Sequence, residues 1–161
     1  MTPARERRGI REVERADLPG LIELIHDHAA FERAPRPTTT LPALERLLFE
    51  PSPRLYGFVA LADGQLIGYA TCSREASTWA AGEYLHLDCL YLRPEARGRG
   101  VGQRLVDAAV DLAAAQGLGE LQWQTPEWNV DAIRFYDRLD AASSGKRRYR
   151  LDVRQRGAGV D

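Results

Sequence analysis

The sequence has few cysteines, and this limits the roles that they can have. Only Cys72 and Cys89 are present among 161 residues, too few for the disulfide framework of a small secreted protein. We therefore expect a reduced, cytoplasmic protein in which both thiols are small core side chains.

Net charge and long apolar runs are also lacking. The formal charge is -1, so no excess of basic residues indicates binding to nucleic acid or to an anionic membrane. No apolar run approaches the roughly 20 residues needed to span a bilayer. The polar N-terminus, residues 1–8, is followed by no apolar segment and is not typical of a secretory signal. We expect neither a nucleic-acid nor a membrane partner.

What is present is the composition of an ordinary soluble domain. Hydrophobic residues make up 44% and charged residues 28%. The length predicts a single domain over 1–161, with loose tails at 1–8 and 154–161.

Periodicity and turn residues predict a mixture of strands and helices. Asp63-Gly64 between two apolar runs predicts a hairpin, and a polar loop is expected at 74–82. Strands are predicted at 9–13, 55–62, 66–73, 84–92, 121–125 and 146–153, and helices at 17–31, 40–50, 101–116 and 129–139. The order is β-α-α-β-β-β-α-β-α-β(-β), so the fold class is α/β (α+β) with a mixed sheet.

A glycine-rich turn joins the strand at 84–92 to the following helix. Glycines at 98, 100 and 102 allow a close backbone approach, and the helix that begins there offers free N–H donors and a positive dipole end. Both features favour a phosphate ligand, and Arg97, Arg99 and Arg104 add positive charge.

Spacing excludes two common phosphate motifs. A P-loop needs a lysine after its last glycine, and none is present here. The dinucleotide motif G-x-G-x-x-G would need a glycine at Gln103 or at Leu105.

The spacing Arg97-x-x-Gly100-x-Gly102 resembles the GNAT acetyltransferases, whose signature [RQ]-x-x-G-x-[GA] binds the pyrophosphate of coenzyme A. Two further segments add to the resemblance: Tyr84–Leu92, and Trp128-Asn129 ahead of Phe135-Tyr136. Together they look most like the diamine branch, the spermidine/spermine and thialysine N-acetyltransferases. The resemblance implies the GNAT fold, a mostly antiparallel sheet of six to seven strands flanked by about four helices.

The resemblance also implies acetyl-CoA as cosubstrate and a homodimer. No metal is expected, because His26 and His28, at spacing i and i+2 on a helix, would point apart. The residues that the resemblance places against the coenzyme are Leu90, Leu92, Arg97, Gly98, Arg99, Gly100, Val101, Gly102, Asn129 and Ala132.

Transfer of an acetyl group to an amine needs a proton acceptor, because an alkyl amine with a pKa near ~10.4 arrives charged at neutral pH. Asp88 is the candidate, since it aligns with the glutamate of the diamine branch, and its shorter side chain favours action through water. His86, on the same strand, is a second candidate. Tyr136 resembles the family's general acid, which would donate a hydrogen bond to the departing sulfur.

For the acceptor amine, Glu32 resembles the carboxylate that holds a distal ammonium, and Trp79 and His86 would complete the wall. Cys89 stands where the branch usually has a second acid, which removes one negative charge. Two other functions stay open: a non-catalytic acyl-CoA sensor and a protein or peptide N-acetyltransferase.

Overall fold

A five-stranded sheet organises residues 9–154, the part of the chain that the computed structural model describes. Strands β1 to β4 pair antiparallel in chain order, and β5 pairs parallel to β4. The strands are β1 (Ile10–Glu12), β2 (Tyr56–Ala62), β3 (Gln65–Ser77), β4 (Gly82–Leu92) and β5 (Leu121–Gln122). The helices are α1 (Leu18–Phe31), α2 (Leu41–Phe49), α3 (Val101–Ala115) and α4 (Val130–Asp137).

The chain divides between Gln124 and Thr125 into two compact units. The first contains the whole sheet and helices α1 to α3, and the second contains α4. The mixed, mostly antiparallel sheet and the helix order confirm the predicted fold class.

The two faces of the sheet carry separate apolar cores within the first unit. On one face α3 packs through Leu105 and Ala109 against strand residues such as Leu85. On the other face α1 packs through Leu21 and Leu24, together with residues of α2. Each of these leucines is fully buried, which contributes roughly 2 kcal/mol of transfer free energy per side chain. The two layers hold the middle strands β3 and β4 rigidly in place.

Several local predictions are confirmed. Asp63 and Gly64 have φ values of 50° and 76°, the positive pair that a tight hairpin turn between β2 and β3 requires. Asn129 caps α4 by accepting a hydrogen bond from the Ala132 backbone N–H at 3.2 Å. Both thiols are free, because Cys72 and Cys89 lie in the cores on opposite faces of the sheet.

The loop predicted at 74–82 is wrong over most of its length. Strand β3 continues to Ser77 and β4 begins at Gly82, so that the hairpin pairs from Arg74 with Leu85 to Ser77 with Gly82. The polar side chains that suggested a loop lie instead on an exposed part of the hairpin, where Arg74 pairs with Glu83 across the two strands.

The sixth strand predicted at 146–153 is also wrong. These residues are exposed and have no strand partner within the described part of the chain. Alternation of polar and apolar residues favours an extended backbone, but a strand is stabilised by contacts with a partner strand, which the segment itself does not contain. Apart from Arg154, the predicted tails lie outside the described residues.

Candidate active site

Asp88 lies at a β-bulge in the middle of β4. Thr71 pairs with Cys89 and Cys72 pairs with Leu87, so Asp88 has no paired residue on β3. A bulge places two residues of one strand opposite one residue of its partner, and this changes the direction of their side chains. The Asp88 side chain is accordingly exposed in a strand whose neighbours Leu87 and Cys89 lie in the core.

The bulge also reverses which residues of β4 face each helix layer. Leu85 and Leu87 pack in the core beside α3, and so does Leu90 beyond the bulge. Cys89 and Tyr91 therefore turn toward α1 and α2. A strict period of two would have kept Leu85, Leu87, Cys89 and Tyr91 on one face, so the alternation does not hold across the bulge.

Strands β4 and β5 pair only at their beginnings. Their ladder consists of Leu85 with Leu121 and His86 with Gln122. Beyond His86, the remaining part of β4 up to Leu92 has no β5 partner, so its backbone edge is open between the bulge and the glycine-rich turn.

The glycine-rich turn has the backbone shape expected of a phosphate cradle. Gly98 and Gly100 both have a φ of 72°, in the left-handed region that favours glycine. Gly100 is the N-cap of α3, and its carbonyl accepts the first helical bond from the Arg104 N–H at 3.2 Å. The N–H groups of the preceding first-turn residues have no acceptor within the helix. This helix end therefore offers free backbone donors to an anionic ligand.

The arginines of this turn have different surroundings. The Arg97 guanidinium lies over the ring of Phe31, 4.6 Å from its centroid, and its Nε–H donates to the Leu92 carbonyl at 3.0 Å. Arg104 extends back to the Arg99 carbonyl, at 3.5 Å. The Arg97 side chain therefore braces the turn against Phe31 of α1.

A cavity of about 250 Å³ lies on the first unit beside the start of the β4–β5 ladder. His86, which the sequence predicts for the acceptor wall, is one of its lining residues. The others are Glu75, Tyr84, Gln122, Trp123 and Gln124. The lining is polar and aromatic, which suits a small hydrophilic ligand.

A set of buried polar side chains lies next to Asp88. His28 on α1 and Tyr69 on β3 are 41 positions apart, and His28 Nδ1 is 2.8 Å from Tyr69 Oη. His28 Nε2 is 3.2 Å from Glu32 Oε1, and the imidazole stacks on Tyr91 with ring centroids 5.1 Å apart. Cys89 Sγ donates to Asp88 Oδ2 at 3.7 Å, and Cys89 packs against the same core as Tyr69.

Burial controls the ionisation of this set. Desolvation lowers the pKa of His28, against the opposing effect of the Glu32 carboxylate. Burial raises the pKa of the Cys89 thiol to about 11, and the Asp88 charge acts in the same direction. The pKa of Tyr69 is raised as well, mainly by burial. At neutral pH the thiol and the phenol are therefore uncharged, with their protons available for hydrogen bonds.

The remaining candidates lie in different places. Trp79 is 99% exposed at the tip of the β3–β4 hairpin and does not line the cavity. In the second unit, Ala132 and Tyr136 lie on α4 behind the Asn129 cap, and both are half-buried. The Tyr136 ring packs against Phe135, with centroids 5.2 Å apart.

Within residues 9–154 no group of three or more His, Cys, Asp or Glu side chains is placed to bind a metal ion. No helix of the described residues is long and apolar enough to cross a membrane.

The sequence analysis missed His28 and Tyr69. It weighed His28 only with His26 as a metal pair, whereas its contact is with Glu32, four residues later on the same helix face. That spacing was a usable signal. The contact with Tyr69 had none, because it depends on how α1 packs on the sheet.

Comparisons with known proteins agree with this architecture. A family model for the acetyltransferase (GNAT) family matches residues 21–141. Thialysine N-epsilon-acetyltransferase of Caenorhabditis elegans is 30% identical over 142 residues, covering 88% of this chain and 87% of that protein. The thialysine N-epsilon-acetyltransferase of Bos taurus is 28% identical over 141 residues, covering 82% of each chain.

Among solved structures, an aminoglycoside acetyltransferase from an uncultured soil metagenomic sample has a TM-score of 0.76 at 22% identity. The match covers 89% of this chain and 95% of that one, and at this identity it shows a shared fold.

Proposed function

The chain belongs to the acetyltransferase (GNAT) family and is an acetyl-CoA-dependent N-acetyltransferase, and from that premise we propose that it acetylates a primary amine of a small molecule. The resemblance to the diamine branch is confirmed by the relatives named thialysine N-epsilon-acetyltransferase. Transfer would be direct, in a ternary complex of enzyme, acetyl-CoA and amine.

The observation that carries the proposal is the exposed Asp88 carboxylate at the bulge of β4. It lies on the strand that leads into the glycine-rich turn, beside an edge that β5 leaves open. A pure coenzyme-binding module has no need of a re-aimed carboxylate at this point, whereas amine acetylation needs a proton acceptor there.

Asp88 would remove a proton from the incoming ammonium, directly or through one water molecule. The uncharged nitrogen then attacks the thioester carbon. Because an alkyl amine has a pKa near ~10.4, almost all of it is protonated at neutral pH, and a positioned acceptor typically contributes about 10²- to 10⁴-fold to the rate.

The glycine-rich turn would hold the coenzyme through its backbone. Acetyl-CoA supplies the thioester carbonyl and the thiol leaving group. The N–H groups of the turn would bind its pyrophosphate, and Leu90 on the open edge of β4 would donate its N–H to the developing oxyanion. The full set proposed to contact the coenzyme in this unit is Leu90, Leu92, Arg97, Gly98, Arg99, Gly100, Val101 and Gly102.

The second unit would contribute three residues. Tyr136 would donate a hydrogen bond to the departing sulfur. Full proton transfer from a phenol of pKa ~10 to a thiol of pKa ~8.5 is uphill by roughly 2 kcal/mol, which favours a hydrogen bond. Asn129 and Ala132 would contact the pantetheine arm.

The acceptor would be a small amine that carries a second cationic group. Glu32 provides a partly exposed carboxylate at the end of α1, and His86 lines the polar cavity. Trp79 would close the site from the hairpin tip. We further propose that the protein is a cytoplasmic homodimer without nucleic-acid or membrane partners. Light scattering of the purified protein tests its oligomeric state.

The test is release of free thiol from acetyl-CoA across a panel of amines that includes thialysine, lysine, diamines and a lysine-containing peptide. We expect a small amine to give the highest kcat/KM. Asp88→Asn should lower kcat by about 10²-fold or more, and Tyr136→Phe by about 10-fold. If coenzyme A binds but no amine stimulates release, the chain is a sensor. A clear preference for the peptide would favour a protein acetyltransferase.

A further inference from the structure

Two aromatic rings and one carbonyl hold the Arg97 side chain beside the glycine-rich turn. The guanidinium carbon lies 4.6 Å from the centroid of the Phe31 ring and 5.7 Å from that of the Tyr91 ring. Both distances are within the roughly 6 Å at which the quadrupole of an aromatic ring attracts a cation. Its Nε–H donates to the Leu92 carbonyl at 3.0 Å. The side chain of an exposed arginine is therefore fixed by three contacts.

The two rings come from different elements and have support of their own. Tyr91 on β4 is 7% exposed, and the His28 imidazole stacks on it with ring centroids 5.1 Å apart. Phe31 is the last residue of α1, three residues after His28, and its ring centroid lies 6.3 Å from that of Tyr91. Because α1 and β4 both pack in the core on this face of the sheet, the support for Arg97 is present before a ligand binds.

These contacts leave the end of the guanidinium available. Among the residues that the structure describes, Leu92 accepts from Nε, whereas the two Nη atoms of Arg97 have no hydrogen-bond acceptor. A guanidinium presents such donors as a planar fork that matches two oxygens of a phosphate group. The fork lies next to the backbone of the turn, whose first-turn N–H groups suit the same kind of ligand.

We propose that Phe31, together with Tyr91, is a positioning residue for coenzyme binding that acts through Arg97. The rings hold the guanidinium in one orientation, so that its Nη groups bind the phosphates of acetyl-CoA. This inference rests on the proposed function, which places Arg97 among the residues that contact the coenzyme. A free arginine side chain loses rotamer freedom when it binds, and a side chain that is already ordered loses less. Loss of a ring should therefore weaken coenzyme binding while the reacting atoms are unaffected.

Phe31→Leu tests the proposal, with isothermal titration of coenzyme A as the binding measurement. Leucine keeps an apolar side chain at the end of α1 but has no ring quadrupole. We expect the Kd for coenzyme A to rise about five- to tenfold. Phe31→Tyr and Tyr91→Phe keep the rings and should stay within about twofold of wild type. In thiol-release assays of Phe31→Leu, the KM for acetyl-CoA should rise by the same factor and kcat at saturation should be unchanged.

A second contact between an arginine and a ring provides the matched control. The Arg15 guanidinium lies over the Phe49 ring, 4.8 Å from its centroid, and Phe49 is the last residue of α2 as Phe31 is of α1. Neither Arg15 nor Phe49 belongs to the proposed site. Phe49→Leu removes the same kind of contact, and its Kd for coenzyme A should equal that of wild type. Thermal unfolding of both leucine variants checks that they are folded.

Two further measurements separate action through Arg97 from a general packing role. In a double-mutant cycle with Arg97→Met, which removes the charge and nearly keeps the length, the effect of Phe31→Leu should disappear because the ring has no cation to hold. S-acetylpantetheine carries the thioester without the pyrophosphate. Its kcat/KM as acetyl donor should therefore be the same for Phe31→Leu and wild type.

The positioning role is wrong if Phe31→Leu binds coenzyme A as tightly as wild type, or if Phe49→Leu loses as much affinity. An equal loss with S-acetylpantetheine, or an undiminished effect of Phe31→Leu beside Arg97→Met, would show that the ring acts by packing.

Arg97→Met separates this inference from the proposed function. If it weakens coenzyme A binding at least about tenfold while Phe31→Leu does not, the positioning role fails and the proposed coenzyme contact stands. Wild-type affinity in Arg97→Met would remove that contact and the positioning role with it. Acetylation of an amine is tested independently by Asp88→Asn.

Discussion

Gly100 provides the sharpest test of the turn proposed to hold the coenzyme. Its backbone is left-handed, with φ 72° and ψ 7°, at the N-cap of α3. A Cβ placed there would lie 3.5 Å from Arg104 Nη1, an ordinary contact, so space is not what excludes a side chain. The strain lies in the backbone, where a left-handed non-glycine residue costs about 1–2 kcal/mol. We therefore expect Gly100→Ala to lower the free energy of unfolding by about 1–2 kcal/mol.

Urea unfolding followed by tryptophan fluorescence measures this difference, and thermal unfolding should show a fall in Tm of about 2–8 °C. Gly100→Asn should lose less, because asparagine tolerates the left-handed conformation better. Gly119→Ala is the matched control. It has no neighbouring atom within 4 Å and no left-handed φ, so its stability should stay within about 0.5 kcal/mol of wild type.

The reasoning is refuted if Gly100→Ala unfolds with the wild-type free energy, or if Gly119→Ala loses as much as Gly100→Ala. Either result would mean that the backbone of the turn does not depend on a left-handed residue at its N-cap.

Three further predictions concern stability and reactivity. Asp17→Asn removes the acceptor of two hydrogen bonds from Arg11, the main cause of the lowered pKa of Asp17. In the wild-type protein these bonds contribute about 1.5–3 kcal/mol, in full above about pH 5, and the contribution is lost as the pH falls through the folded-state pKa of Asp17. Urea unfolding at about pH 7 and about pH 3 should therefore show a smaller difference in free energy of unfolding between Asp17→Asn and wild type at the lower pH. Gly68→Ala places a Cβ 2.7 Å from the Tyr91 carbonyl oxygen, and urea unfolding should show a loss of about 1–3 kcal/mol; wild-type stability would contradict the close approach of β3 and β4. Burial raises the pKa of Cys89 to about 11. At pH ~8 the thiol should therefore react with a disulfide reagent at least about 100-fold more slowly in the folded than in the unfolded protein, as measured by mass spectrometry. Equal rates would place the thiol in solvent.

Features that depend on neighbouring residues could be predicted from the sequence. The Asp63-Gly64 turn needs positive φ at two adjacent residues, and the Asn129 cap needs an acceptor three residues before a free N–H. The spacing of Arg97, Gly100 and Gly102 likewise identified the family. Each of these is a local requirement, which a few side chains satisfy wherever the segment lies.

Predictions that needed a distant partner were less successful. The sequence predicts a polar loop at 74–82, but residues 74–77 belong to β3 and Gly82 begins β4, and the two strands pair in a hairpin. Residues 146–153 alternate like a strand, but within the described chain they pair with no other strand. The energy of a strand comes from cross-strand contacts, which a single segment does not contain.

The sequence by itself determined the turn, the helix that follows it and the acidic residue ahead of it, because these adjoin along one stretch of chain. Only the tertiary structure decided how that acid is presented. The bulge at Asp88 reverses the alternation of β4 and turns Cys89 toward the core that holds Tyr69, whose hydroxyl contacts His28 of α1. These residues come from three separate elements, and packing of α1 on the sheet brings them together.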